Sequence, residues 1–213
     1  MQLFCVKTGE IRENTYFVVQ DNQDTLIFDP GNDAEQLKQT IETHGFNPVA
    51  ILLTHAHYDH IGAVDVLRQE YDIPVYVNAI EKEFLMNPEL NLSGRHFPNL
   101  VSIQPADKLW ETMGQAQVGT FTFRIEHVPG HSPGSTVYLF EQDQFAIVGD
   151  TLFKGGCGRT DLPGSSTHTE LMQGIRQHLL TLPDDTQIFA GHGEPTTIAF
   201  EKKTNPYLNG VVR

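Results

Sequence analysis

The chain has 213 residues, 27 acidic and 14 basic, for a formal net charge of −13. That balance argues against non-specific attraction to nucleic acid or to an anionic membrane face, and the length suits one domain with a sizeable core. No apolar run approaches the ~20 residues of a membrane-spanning helix. The N-terminal MQLFCVKTGE lacks the order of a signal peptide, and Cys5 and Cys157 are too few for a disulfide framework. A cytoplasmic protein without nucleic-acid or membrane partners is expected.

Taken in chain order, short apolar runs predict strands at 3–6, 15–20 and 25–29. Leu37 and Ile41, four apart and ahead of Gly45, predict a helix. A buried strand follows at 49–53, between Pro48 and Thr54, then a helix from about 59 to 70 and a strand at 74–77. Residues 87–105 carry Pro88, Gly94 and Pro98 with little periodicity and read as an irregular excursion. Strands are expected at 120–127, 136–140 and 144–148. Thr167-x-x-Glu170 has the form of a capping box opening a helix that ends before Pro183. A strand at 187–190 and a short helix near 197–203 close the chain. The class is α/β, with two sheets or one large sheet covered by helices.

Ten histidines are present, and their placement carries the chemistry. Thr54-His55-Ala56-His57-Tyr58-Asp59-His60 holds four potential ligands within six residues. Imidazole and carboxylate together suit zinc, iron or manganese. In extended chain, side chains two apart point the same way, so His55 and His57 can share one ion. Asp59 and His60, at the expected start of the next helix, turn elsewhere and could reach a second. His131, Asp150 and His192 each follow an apolar, strand-like run that closes on a glycine. Ligands would thus sit in loops at the carboxyl ends of strands, where α/β sites form. Asp29, after LIF, is placed to support a ligand histidine. His44, His96, His127, His168 and His178 lack such a setting and read as ordinary surface or core residues. Gly130-x-Ser132-x-Gly134 has the spacing of a nucleophile elbow but runs into a strand-like TVYLF where the elbow needs a helix. Gly155-Gly156-Cys157-Gly158 lacks the Lys-Ser or Lys-Thr of a phosphate loop, and Cys157 reads as a spacer.

The series His55-x-His57-x-Asp59-His60, then His131, Asp150 and His192, resembles the signature of the metallo-β-lactamase superfamily across nearly the whole chain. Asp150-Thr151-Leu152-Phe153 and Gly156-Cys157-Gly158-Arg159 resemble its glyoxalase II (hydroxyacylglutathione hydrolase) branch. The resemblance implies a four-layer αβ/βα sandwich with a metal site at the edge between the sheets. It implies His55, His57 and His131 on one divalent ion, Asp59, His60 and His192 on a second, and Asp150 between them. Zinc is the first expectation, with iron or manganese as alternatives. Arg159 would anchor a substrate carboxylate. The implied reaction is hydrolysis of a small thioester, S-D-lactoylglutathione or a related acylthiol, by a hydroxide held between the ions, with Asp59 orienting it.

Glyoxalase II enzymes carry a further C-terminal helical region. Here 21 residues follow His192, and a single domain spanning 1–213 without that region is expected. Asp161 stands where that branch has an aromatic, and Gly191-His192-Gly193-Glu194-Pro195 lacks its tyrosine. The resemblance is therefore to short glyoxalase II-like proteins. A single-iron persulfide dioxygenase, similar around Gly156-Cys157-Gly158-Arg159-Thr160-Asp161, is the rival reading, and a non-catalytic metal-binding protein the third. A true β-lactamase ranks lower, since the common zinc β-lactamases place Cys where Asp150 stands.

Overall fold

The structure, a computed structural model, describes residues 1–95 and 100–210. It forms two compact units, Met1–Glu111 and Thr112–Arg213.

The first unit opens with β1 (Gln2–Thr8), β2 (Glu13–Val19) and β3 (Asp24–Phe28), paired antiparallel. Helix α1 (Ala34–His44) then leads to β4 (Asn47–Leu52), and α2 (Val64–Tyr71) leads to β5 (Val75–Asn78). With β6 (Lys108–Trp110) these strands make a six-stranded sheet in sequence order, parallel from β3 onward. The helices supply the crossovers that parallel neighbours require. Every residue of β2 is buried, so both of its faces are covered. Leu37 and Ile41 pack the buried stripe of α1, and Gly45 ends it at φ +67°, a conformation most side chains avoid.

The second helix differs from expectation. The helix anticipated at 59–70 is a 3₁₀ turn, Tyr58–His60, followed by α2 starting only at Val64. The intervening chain runs hard against residues 30–31. The Ala63 N–H donates to the Pro30 carbonyl at 2.9 Å, and a Cβ on Gly62 would fall 2.4 Å from the Gly31 oxygen. With its N–H given to Pro30, Ala63 cannot donate to the Asp59 carbonyl, as an α-helix through 59–63 would require. The excursion contains a 3₁₀ turn at Ser93–Arg95 and follows another at Phe84–Met86; Asn91 ties it down, its Nδ2 donating to the carbonyls of Phe84 and Val101. Its Pro98, and His96, lie outside the described residues.

The second unit contains β7 (Gly114–Val118), β8 (Phe121–His127), β9 (Thr136–Phe140) and β10 (Phe145–Gly149), an antiparallel meander. A two-stranded ribbon follows, β11 (Leu152–Phe153) with β12 (Gly156–Cys157). Helix α3 (His168–Gly174) continues into one turn of π-helix, Ile175–Leu179, and delivers the chain to β13 (Gln187–Ala190), parallel to β10. β14 (Thr196–Thr197) pairs with β13, and α4 (Ile198–Thr204) follows. The Thr167 capping box is present: Thr167 Oγ1 accepts from the Glu170 N–H, and Glu170 Oε2 accepts from the Thr167 N–H. β6, β7, β14 and the ribbon were not anticipated; they are short or, like GQAQV in β7, mostly polar.

Directions in each sheet decide what the strand tips present. β3 and β4 run parallel, so Asp29 and His55 leave the same edge of the first sheet. β8, β10 and β13 run one way in the second, so His131, Asp150 and His192 leave a common edge there. Among the described residues, no helix is long and apolar enough to cross a membrane.

Candidate metal centre

In the first unit the chain leaves β4 through Leu53 and Thr54 into His55-Ala56-His57 and then the 3₁₀ turn that carries Asp59 and His60. His55, His57 and His60 are buried, with ring centroids 4.7 Å apart for His55–His57 and 4.1 Å for His55–His60. Three imidazoles seldom gather so tightly in a core without a task.

Their tautomers follow from their neighbours. Asp29 accepts from the Thr54 N–H at 2.7 Å and from the Thr54 hydroxyl at 2.6 Å. The Thr54 hydroxyl proton is thereby committed to Asp29, so Thr54 Oγ1 accepts from His55 Nδ1 at 3.1 Å. His60 Nδ1 donates to Asp29 Oδ2 at 3.1 Å. Each ring carries its proton on Nδ1, and the lone pair is left on Nε2. Asp29, His55 and His60 each place a ligand atom within 4.8 Å of the others. Asp29 takes the supporting part expected of it, anchoring His60 and, through Thr54, His55. Asp59, half-buried, sets Oδ2 3.4 Å from His60 Nε2.

Two buried carboxylates here escaped the sequence reading. Glu81, in the turn after β5, accepts from the Ala56 N–H at 2.6 Å and so fixes the backbone between His55 and His57. Glu13, at the head of β2, accepts from Thr8 Oγ1 and Thr15 Oγ1, with its other oxygen 3.9 Å from His60 Nδ1. Burial pushes the Glu13 carboxyl well above the usual range, against the opposing pull of His60. Gly31 completes the support: a Cβ there would lie 1.8 Å from the Asp59 carbonyl oxygen.

In the second unit Asp150 Oδ2 lies 3.4 Å from His131 Nε2 and 3.7 Å from His192 Nε2. One carboxylate oxygen thus faces two imidazoles. His131 Nδ1 bonds the Arg159 carbonyl at 3.0 Å. A carbonyl only accepts, so Nδ1 holds the proton and Nε2 the lone pair. Ser165 Oγ donates to the His131 carbonyl, and the Gly191 N–H to the Gly149 carbonyl, tying the loops of His192 and Asp150 together. A Cβ on Gly158 would lie 1.9 Å from the Asp150 carbonyl oxygen and 2.8 Å from His131 Cβ. No other residue lets the chain pass there.

The Arg159 guanidinium is exposed and paired in two 2.9 Å contacts with Asp161, while its backbone carbonyl is what touches His131. Asp161 raises the Arg159 pKa further. Strand β9 follows Ser132, with no helix, as expected against the elbow. Cys157 is half-buried, and burial pushes its thiol up to about 11, away from a nucleophile's range. His44 and His127 bond to the nearby Thr40 and Pro133 carbonyls, and His178 pairs with Glu126 of β8.

Nε2-directed imidazoles with carboxylates form a donor set that fits divalent cations. The Lactamase_B family model, described as the metallo-β-lactamase superfamily, matches residues 8–192. The chain belongs to the metallo-β-lactamase superfamily.

It is 46% identical over 202 residues to a probable metallo-hydrolase, YqgX, of Bacillus subtilis, covering 95% of each chain. It is 37% identical to the hydroxyacylglutathione hydrolase GloC of Haemophilus influenzae, covering 98% of this chain and 99% of that one. The crystal structure of BLEG-1 B3 metallo-β-lactamase matches with TM-score 0.95 and 42% identity over 98% of this chain and 100% of that one. That of TTHA1623 in a di-iron-bound form matches with TM-score 0.85 and 36% identity over 96% and 100%. The protein is therefore a metallo-hydrolase of this superfamily. The expected fold class holds, two mixed sheets with helices in an α/β sandwich of the metallo-β-lactamase type.

Proposed function

We propose that the two sets of donors act as one site for two divalent cations, and that the protein hydrolyses small thioesters there. One observation carries the reading. Every donor of the series His55, His57, Asp59, His60, His131, Asp150 and His192 is present, and His55, His60 and His131 are held through Nδ1, in a chain that matches a hydroxyacylglutathione hydrolase end to end. In the superfamily pattern His55, His57 and His131 hold the first ion, Asp59, His60 and His192 the second, and Asp150 both.

Cations bound there would supply a water acidified to near neutrality and a Lewis-acid hold on the carbonyl oxygen. The chain's own residues do the rest. Asp29 and the Arg159 carbonyl lock His60 and His131 with Nδ1 protonated, so no proton competes for Nε2. Asp59 accepts a hydrogen bond from the attacking water and aims its lone pair at the carbonyl carbon. The leaving thiol, with a free pKa of ~8.5, departs as thiolate and asks no acid of the protein. Arg159 exchanges Asp161 for a substrate carboxylate, an exchange that solvent screening makes cheap. The substrate is a small acylthiol such as S-D-lactoylglutathione, in a cytoplasmic setting, and zinc is the first candidate ion.

The likeness to BLEG-1 favours a second reading, opening of a β-lactam ring by the same attack on a carbonyl. The test is elemental analysis of the purified protein with parallel assays on acylthiols, a cephalosporin and a glutathione persulfide with oxygen uptake. Thioester turnover lost on chelation, restored by divalent metal and abolished in His57→Ala and Asp59→Ala is the expected result. Full thioester activity in those variants overturns the proposal, as does activity confined to the cephalosporin or to oxygen consumption with one iron.

A further inference from the structure

Helix α4 carries Glu201, a carboxylate that no part of the proposed chemistry uses and that is fully buried. It accepts from the Gly155 N–H at 3.0 and 3.2 Å, from Thr196 Oγ1 at 2.6 Å and from Asn205 Nδ2 at 2.7 Å. Asn205, also buried, donates in addition to the Gly156 carbonyl at 3.0 Å. Every group facing Glu201 in these contacts is a neutral donor. Burying a carboxylate among neutral groups costs free energy that a neutral tie avoids. What the charge provides is acceptor capacity on both oxygens at once, which no amide offers.

The tie falls at an informative place. Gly155 lies in the turn at the tip of the β11–β12 ribbon, and Gly156 opens β12. One end of that ribbon begins at Asp150. The other ends at Gly158, packed on Asp150 and His131, and at Arg159, whose carbonyl holds His131 Nδ1. The ribbon closes on itself through the Gly158 N–H to the Thr151 carbonyl, and its Phe153 ring meets His192 edge-on, centroids 6.4 Å apart. Thr196 stands four residues after His192. Glu201 therefore grips, through a single carboxylate, the tip of the ribbon that runs between Asp150 and the Arg159 carbonyl, and the segment that carries His192.

We propose that Glu201 is a positioning residue that sets His131, Asp150 and His192 relative to one another by clamping the 150–159 ribbon to β14. The proposal rests on the reading of those three residues as metal ligands, but not on the thioester. Zinc affinity of the metal-free protein, measured by competition with a chelating dye, is the decisive readout, alongside the melting temperature of the metal-free form. Glu201→Gln should weaken zinc binding about tenfold, the low end for support of a metal ligand. Thr196→Val should weaken it less, and carries the test if Glu201→Gln fails to fold. Ile198→Val, which thins the core that helix shares with Leu152 while removing none of the Glu201 hydrogen bonds, should lower the melting temperature and leave zinc affinity unchanged. Wild-type zinc affinity in the Glu201 and Thr196 variants, or an equal loss in Ile198→Val, would reduce Glu201 to a fold-stabilising residue and overturn the proposal. Intact zinc binding with no acylthiol turnover would sink the thioester reading alone.

Discussion

Asp29 and His60 are joined by a 3.1 Å hydrogen bond from Nδ1 to Oδ2, and the same carboxylate oxygen takes the Thr54 hydroxyl proton. Asp29 sits at φ +48°, a left-handed conformation that asparagine also tolerates, so Asp29→Asn changes charge with little backbone penalty. One face of the amide would then oppose donors. The expected result is a loss of about 1–3 kcal/mol in metal-free stability and a ten- to hundredfold loss in divalent-metal affinity. Denaturant unfolding and metal titration measure the two separately, and unchanged affinity would confine Asp29 to the fold.

Gly158 is constrained by space. A methyl group there meets the Asp150 carbonyl oxygen at 1.9 Å, and backbone is the neighbour that cannot step aside. Gly158→Ala is expected to cost at least the roughly 1–3 kcal/mol of an overpacked site, and to displace Asp150 and His131 together. Melting temperature and bound metal should both drop. A variant that keeps full metal content would show that the ribbon yields more freely than the contact implies.

Under the proposed function, Asp161 competes with a substrate carboxylate for the Arg159 guanidinium. Both side chains are about 70% exposed, and their pairing lowers the Asp161 pKa as it raises that of Arg159. Asp161→Asn should release the guanidinium and lower KM a few-fold for acylthiols that carry a carboxylate, with kcat unchanged. Uncharged acylthiols should show no change. Arg159→Ala should reverse the preference. Equal effects on charged and uncharged substrates would remove Arg159 from substrate binding.

Cys157 has a thiol raised to about 11 by burial, from an ordinary value near 9. A group whose folded pKa is raised contributes its full stability below the unfolded pKa and loses it as pH climbs through the folded value. Stability should therefore fall as pH rises from about 9 toward 11, and this component should vanish in Cys157→Ala. In a Cys5→Ser background, iodoacetamide should modify Cys157 with a rate midpoint near 11. A midpoint at or below 9 would restore Cys157 as a reactive thiol.

The candidate donors could be picked out without coordinates because coordination chemistry restricts residue type and because short spacings survive folding. His55 and His57 are two apart in extended chain, and each distant candidate follows an apolar run closing on glycine. Periodicity revealed the long elements for the same reason, since a buried stripe must repeat at the period of its own backbone. The contacts that hold these side chains were not legible. Glu13, Glu81 and Glu201 are isolated acids in unremarkable surroundings, and the partner of His131 is a main-chain carbonyl that any residue at 159 could supply. The split of the expected 59–70 helix arises from residues 30–31 pressing on 59–63, a contact between segments some thirty positions apart. Pattern along a chain encodes local geometry and chemical kind. Which buried carboxylate meets which N–H depends on chain crossings, and only the folded arrangement of strands and loops decides those.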